Sequence, residues 1–129
     1  MVAPLWDDLS GAGTGTGTAS YQTVGDPGSR GFTFEWLSWK WSAAATNAVI
    51  SLQARLYEAP GAIEFIYRQD PGAVNSASAS IGIAAFGTGS GNYRSLQSTG
   101  TSPSVSSTTE TTSLSSKPAT GQVYAFTPP

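Results

Sequence analysis

Histidine and cysteine are both absent from this 129-residue chain. Without histidine the commonest general base, the commonest transition-metal ligand and the usual pH switch are missing, and a Ser-His-Asp triad cannot be assembled. Without cysteine there is neither a disulfide framework nor a thiolate metal site. Charge is also scarce: six Lys and Arg against eight Asp and Glu give a net charge of −2, and 11% of residues are charged where ~25% is usual. The few cations are scattered, which leaves no basic footprint for nucleic acid. No apolar run approaches the ~20 residues of a membrane helix, so membrane insertion is not expected. The start lacks a charged stretch leading into an apolar one, so in an exported protein Met1 would stand where a signal was removed.

Gly, Ser, Thr and Ala supply the surface instead, a composition that points to an exported, weakly charged β protein. At 13.3 kDa the chain fits one domain able to bury roughly two thirds of its unfolded surface. Residues 1–129 are therefore read as a single domain, with a flexible Gly/Thr loop at 11–18 and a Ser/Thr-rich segment at 98–117. The loop at 11–18 alternates Gly with Ala or Thr but lacks the lysine, helix and spacing of a phosphate loop. Its Thr14, Thr16 and Thr18 are too short a run for an ice-binding array.

Strands follow from period-two patterning. Ile50, Leu52, Ala54 and Leu56 alternate with Ser51, Gln53 and Arg55, the clearest strand in the chain. The turn Glu58-Ala59-Pro60-Gly61 joins it to a hairpin partner over 62–69, with Ile63, Phe65 and Tyr67 on one face. Val2 to Leu9, containing Pro4, reads as an edge or an entry segment. Further strands are expected at 19–24, 80–84 and 122–126, with one or two edge strands between 87 and 117. The aromatic stretch Phe32 to Trp41 holds three of the chain's four tryptophans. Phe32, Phe34 and Trp36 share one face, but Trp39 and Trp41 fall out of phase. Either a bulge near Leu37-Ser38 re-aims the strand or both faces of its second half are covered. About seven or eight short strands, with no helix longer than a turn or two, predict an all-β antiparallel β-sandwich, jelly-roll-like in outline.

Trp6, Phe34, Trp36, Leu52, Leu56, Phe65, Tyr124 and Phe126 are assigned to the core. Trp39, Trp41 and Tyr93 are candidates for a sugar-stacking or protein-contact platform, since aromatic faces offer large, rigid contacts; the competing reading is that the tryptophans fill the core. Asp7 and Asp8 either approach a calcium ion with help from loop carbonyls or accept backbone amides and fix the turn after Trp6. Glu35 is placed to pair with Arg55 or Lys40. A Ser-Lys pair would need Lys40 or Lys117 beside a serine, and neither sits in a motif for it. No cofactor is expected apart from that calcium option.

Several segments together carry a resemblance: Ala3-Pro4-Leu5-Trp6-Asp7-Asp8-Leu9, Phe34-Glu35-Trp36, Leu56-Tyr57-Glu58 with Ile63-Glu64-Phe65-Ile66-Tyr67, Ile81-Gly82-Ile83, and Lys117 through Pro129. They resemble a β-rich domain of secreted surface proteins of Bacteroidota-type bacteria, and the first half is distantly similar to the nidogen extracellular domain. Such domains usually carry further strands before the Ala-Pro-x-Trp-Asp-Asp segment, and those are expected to be absent here. The resemblance implies an extracellular, non-catalytic structural or adhesive module, of a surface protein or of a self-assembling filament or array. It would contact other protein domains or copies of itself through edge strands. The alternative is a carbohydrate-binding module that takes glycans on exposed aromatics.

Overall fold

The computed structural model describes residues 1–13, 17–75 and 78–128. Among them are nine strands: β1 (Val2–Trp6), β2 (Thr18–Val24), β3 (Gly31–Trp39), β4 (Ile50–Tyr57), β5 (Ile63–Gln69), β6 (Ser80–Ala84), β7 (Tyr93–Leu96), β8 (Val105–Ser106) and β9 (Val123–Phe126). They form a four-stranded sheet, β1-β6-β7-β8, and a five-stranded sheet, β2-β3-β4-β5-β9. Every pairing is antiparallel. The all-β sandwich expected from the patterning is what forms, with one or two more strands than that count. Its connectivity is two up-and-down meanders that exchange β1 and β9, not the alternating crossings of a jelly roll. The short β7 is an interior strand of its sheet, and only β8 of that pair lies at an edge.

The phase slip in the aromatic strand is a bulge. Trp36 stands opposite Leu52, but the next paired residue, Trp39, stands opposite Ile50, so β3 advances by one residue more than β4. Ser38 absorbs the extra residue at φ 60°, a left-handed conformation uncommon outside glycine. Its amide donates to the Ser51 hydroxyl oxygen (2.9 Å), and the Ser51 hydroxyl donates to the Asp70 carboxylate (2.7 Å). Arg68 donates to both Ser51 and Asp70 at 2.9 Å. A polar network, buried at Ser51 and Asp70 and capped by exposed Arg68, thus holds the kink in place.

The smaller sheet lies over only part of the larger one. Leu5, Ile81 and Leu96 meet Leu52, Ala54, Phe65, Tyr67 and Tyr124 in one core cluster, and β1, the near edge of the smaller sheet, packs against β4. The Tyr67 hydroxyl donates to the Pro4 carbonyl at 2.5 Å and ties the layers together. Burial, and next to it Tyr124, pushes the Tyr67 hydroxyl pKa well above 10.

Two core assignments are corrected by this layering. Trp6 is 62% exposed, because β1 also bulges between Ala3 and Trp6, burying Ala3, Pro4 and Leu5 in succession and turning Trp6 out opposite Ser80. Leu56 is exposed, because it stands at the end of β4 beyond the smaller sheet. Leu52, Phe65 and Tyr124 are buried, Trp36 and Phe126 are partly buried against the cluster, and Phe34 is half-buried at its margin.

The Ser/Thr-rich segment is fastened mainly by hydrogen bonds. Thr111 donates its amide to Ser95 and its hydroxyl to Gln97, and Gln97 donates to the Thr109 carbonyl. Leu114, bridged to Ala79, is its buried apolar anchor. Of the loop expected over 11–18, residues 14–16, and with them Thr14 and Thr16, lie outside the described residues.

Candidate functional site

Residues directly opposite each other on antiparallel strands share a face, so the register arranges the inner face of the larger sheet in rows. One row runs Tyr21, Phe34, Ala54, Phe65, Tyr124, and its neighbour runs Thr23, Phe32, Leu56, Ile63, Phe126. Along the first row burial climbs steadily: Tyr21 is 73% exposed, Phe34 is half-buried, and Ala54, Phe65 and Tyr124 are buried. In the second row Phe32 and Leu56 are exposed, while Ile63 and Phe126 are half-buried. The gradient runs from the uncovered end, β2 and the start of β3, to the end beneath the smaller sheet.

What is left open is a half-face of aromatic and aliphatic groups. Tyr21 stacks on Phe32 with ring centroids 6.0 Å apart, and Phe34 tilts against Trp36 at 4.4 Å. The face continues into a cleft of about 580 Å³ between the open ends of the sheets, lined by Ile63, Ile83, Val105 and Phe126, with Arg94 and Tyr93 at its rim. The opposite face of the same strands is polar. There Gln53 donates to Glu35 at 2.7 Å and accepts from Arg55 at 2.8 Å, so Glu35 meets Arg55 through Gln53 and not directly.

The tryptophan platform does not assemble. Trp41 is fully buried, which corrects its place among the contact candidates: past the Ser38 bulge the odd positions turn inward. Its indole N–H has no hydrogen-bond partner among the described residues. Trp39 is half-buried beneath the glycine loop and donates its indole N–H to the Thr18 carbonyl at 2.9 Å. Gly17 is required for that contact, since a Cβ there would stand 2.7 Å from the Trp39 ring. Tyr93 is half-buried and shares a groove of about 530 Å³ with Trp6, Asn92, Arg94 and Glu110. Trp6, assigned to the core from sequence, is thus the most exposed of the four tryptophans.

Asp7 accepts the Asp8 amide (2.8 Å) and the Ser78 hydroxyl (2.9 Å), and Asp8 accepts the Ala43 amide at 3.4 Å. Both carboxylates are engaged with protein donors around that turn. Lys117 donates to the Asp70 and Gly72 carbonyls at 2.7 and 2.8 Å, fastening two loops.

Beside the open face, the turn before β3 is clamped by one carboxylate. Glu58 accepts from the Arg30 side chain at 2.9 and 3.0 Å and from the amides of Gly28 and Arg30. The Arg30 side chain first, then these two amides, hold its pKa down from 4.5 to about 2. A depressed carboxylate stabilises the fold above its ordinary titration range and loses that contribution as pH falls through the folded-state value. Melting temperatures measured from pH 5 to pH 2 are therefore expected to fall less steeply for Glu58→Gln than for the natural chain. Parallel curves would show that this clamp contributes nothing.

Tyr21 and Phe32 were not singled out from sequence as contact residues. The available signal was a shortage: the segments destined for the smaller sheet hold too few large apolar groups to cover five strands.

A protein-family model described as NIDO related matches residues 1–128 of the chain. No curated protein and no solved structure matches.

Proposed function

This chain belongs to the NIDO-related family, and from that premise we propose that it is a non-catalytic module that works by contact between protein surfaces, with the uncovered half of its larger sheet as the contact surface. The family implies an extracellular context. The observation that carries the reading is the burial gradient from Tyr21 to Tyr124, which leaves Tyr21, Phe32, Phe34 and Leu56 on one open face. Scattered exposed apolar residues are ordinary, but a contiguous aromatic face marks an interaction site. The resemblance to secreted bacterial surface proteins fits a structural or adhesive role.

One observation favours a second reading, a carbohydrate-binding module: exposed Trp6 and half-buried Tyr93 line one groove with Asn92, Arg94 and Glu110. Ring faces with polar neighbours are what a sugar would stack on. Two arrays probed side by side, one of extracellular proteins and one of glycans, separate the readings. Protein signals that disappear with Phe32→Ser plus Leu56→Ser, on a blank glycan array, are the expected result. A glycan signal abolished by Trp6→Ala, with protein signals absent, would replace the first reading by the second.

A further inference from the structure

We infer that β2 is the edge along which two copies of this chain pair. Among the described residues the sandwich has four strand edges, β1 and β8 on one sheet and β2 and β9 on the other. Three are blunted in the way that discourages strand addition. β1 carries Pro4 and a bulge, β8 has two residues, and β9 has four and runs out towards Pro128. β2 has none of these protections. It is seven residues long, free of proline and charge, and exposed throughout. It follows β3 residue for residue from Thr18↔Leu37 to Val24↔Gly31 with no bulge.

Its pattern also reads the same in both directions. In an antiparallel pairing of β2 with a second copy, centred on Tyr21, each Tyr21 faces its counterpart. Ser20 then faces Gln22 of the second copy, Ala19 faces Thr23, and Thr18 faces Val24. Polar stands against polar, small against small and β-branched against β-branched. A two-fold interface requires such self-complementarity. Because the strand is uncharged, no like charges are brought together, and a partner selected by charge would find nothing on this edge to read.

The central row of rings would run from Phe34 and Tyr21 of one copy into Tyr21 and Phe34 of the other. The two uncovered half-faces would merge into one apolar strip; in this respect the inference rests on the contact reading above and names one partner for it. Seven paired residues extend about 24 Å. A single strand edge buries less than the ~800 Å² per partner of a stable complex, so the pair is a weak, concentration-dependent dimer.

Sedimentation or light scattering of the full chain across a wide concentration range tests this. A monomer–dimer equilibrium is expected. Ser20→Lys with Gln22→Lys sets lysine against lysine at both flanking positions, and is expected to raise the dissociation constant roughly tenfold or more. Ser20→Lys with Gln22→Glu sets opposite charges at those positions and is expected to bring the dimer back to within about threefold of the natural chain. Restoration by that swap requires residue 20 to face residue 22 of the other copy, so it reports the register. A chain that stays monomeric, a dimer indifferent to the lysine pair, or one that the charge swap does not restore overturns the inference. Dimerisation with blank protein arrays would leave the pairing standing and remove only the wider contact reading; a monomer with positive arrays would do the reverse.

Discussion

Trp41→Ala is expected to cost about 3–5 kcal/mol of folding stability, the range for deleting a large buried aromatic, while Trp6→Ala stays within about 0.5 kcal/mol. Trp41 has no solvent-accessible surface and joins Val49, Ile50 and Leu114 in the core cluster. Its indole N–H is unpartnered among the described residues. The loss on truncation therefore reflects removed apolar contacts and the cavity left behind, not a broken hydrogen bond. Trp41→Phe, which keeps most of the volume and discards an unpaired donor, should recover much of the deficit. For a domain whose total stability is on the order of 5–15 kcal/mol, the alanine substitution removes a large share. Denaturant titrations of the three variants are the measurement. Equal effects at positions 6 and 41 would contradict the inward turn that the Ser38 bulge imposes. The two residues are alike in type and opposite in burial, which makes the contrast informative.

Gly82→Ala is expected to be the next most damaging single change, at about 1–3 kcal/mol or somewhat more. Gly82 sits on β6, paired on one side with Ala3 and on the other with Ser95. A Cβ there would stand 2.2 Å from the Arg94 carbonyl oxygen and 3.2 Å from the Ser95 Cα. Both obstacles are backbone, so no side chain can swing aside, and relief requires β6 and β7 to part. The position needs glycine for space and not for an unusual backbone angle. Gly100, whose nearest neighbour to an added Cβ is the Ser98 hydroxyl oxygen at 3.7 Å, provides the matched control. Gly100→Ala should melt close to the natural chain while Gly82→Ala melts well below it. If the two melted together, the smaller sheet would have more slack than its ladder suggests.

These contrasts also mark how much could be read before folding. The β4–β5 hairpin was legible because alternation is local: Leu52 and Ala54 face the core and Gln53 faces away wherever the strand lies. The kink in β3 was legible as a break in phase, although its direction was not. The side to which Trp39 and Trp41 turn depends on Ser51, which meets the Ser38 amide, and on Asp70 and Arg68, which hold Ser51, an arrangement that exists only once β4 and β5 are in place. The candidate site was legible only in its ingredients. Phe32, Phe34 and Trp36 form one apolar face in any register, and Tyr21 joins that face only after β2 pairs with β3.

By itself the sequence determined the fold class, most of the strands, the main turns and the exclusion of histidine and thiolate chemistry, because these depend on residue type and period-two patterning along one strand. The tertiary structure alone decided which aromatics are covered. A four-stranded sheet laid over a five-stranded one, with β1 against β4, leaves β2 and the start of β3 beyond its edge. That offset arises from how two layers of unequal width superpose, and no single strand encodes it. It left Tyr21 and Phe32 open, while two bulges, one on each sheet, sent Trp6 outward and Trp41 inward.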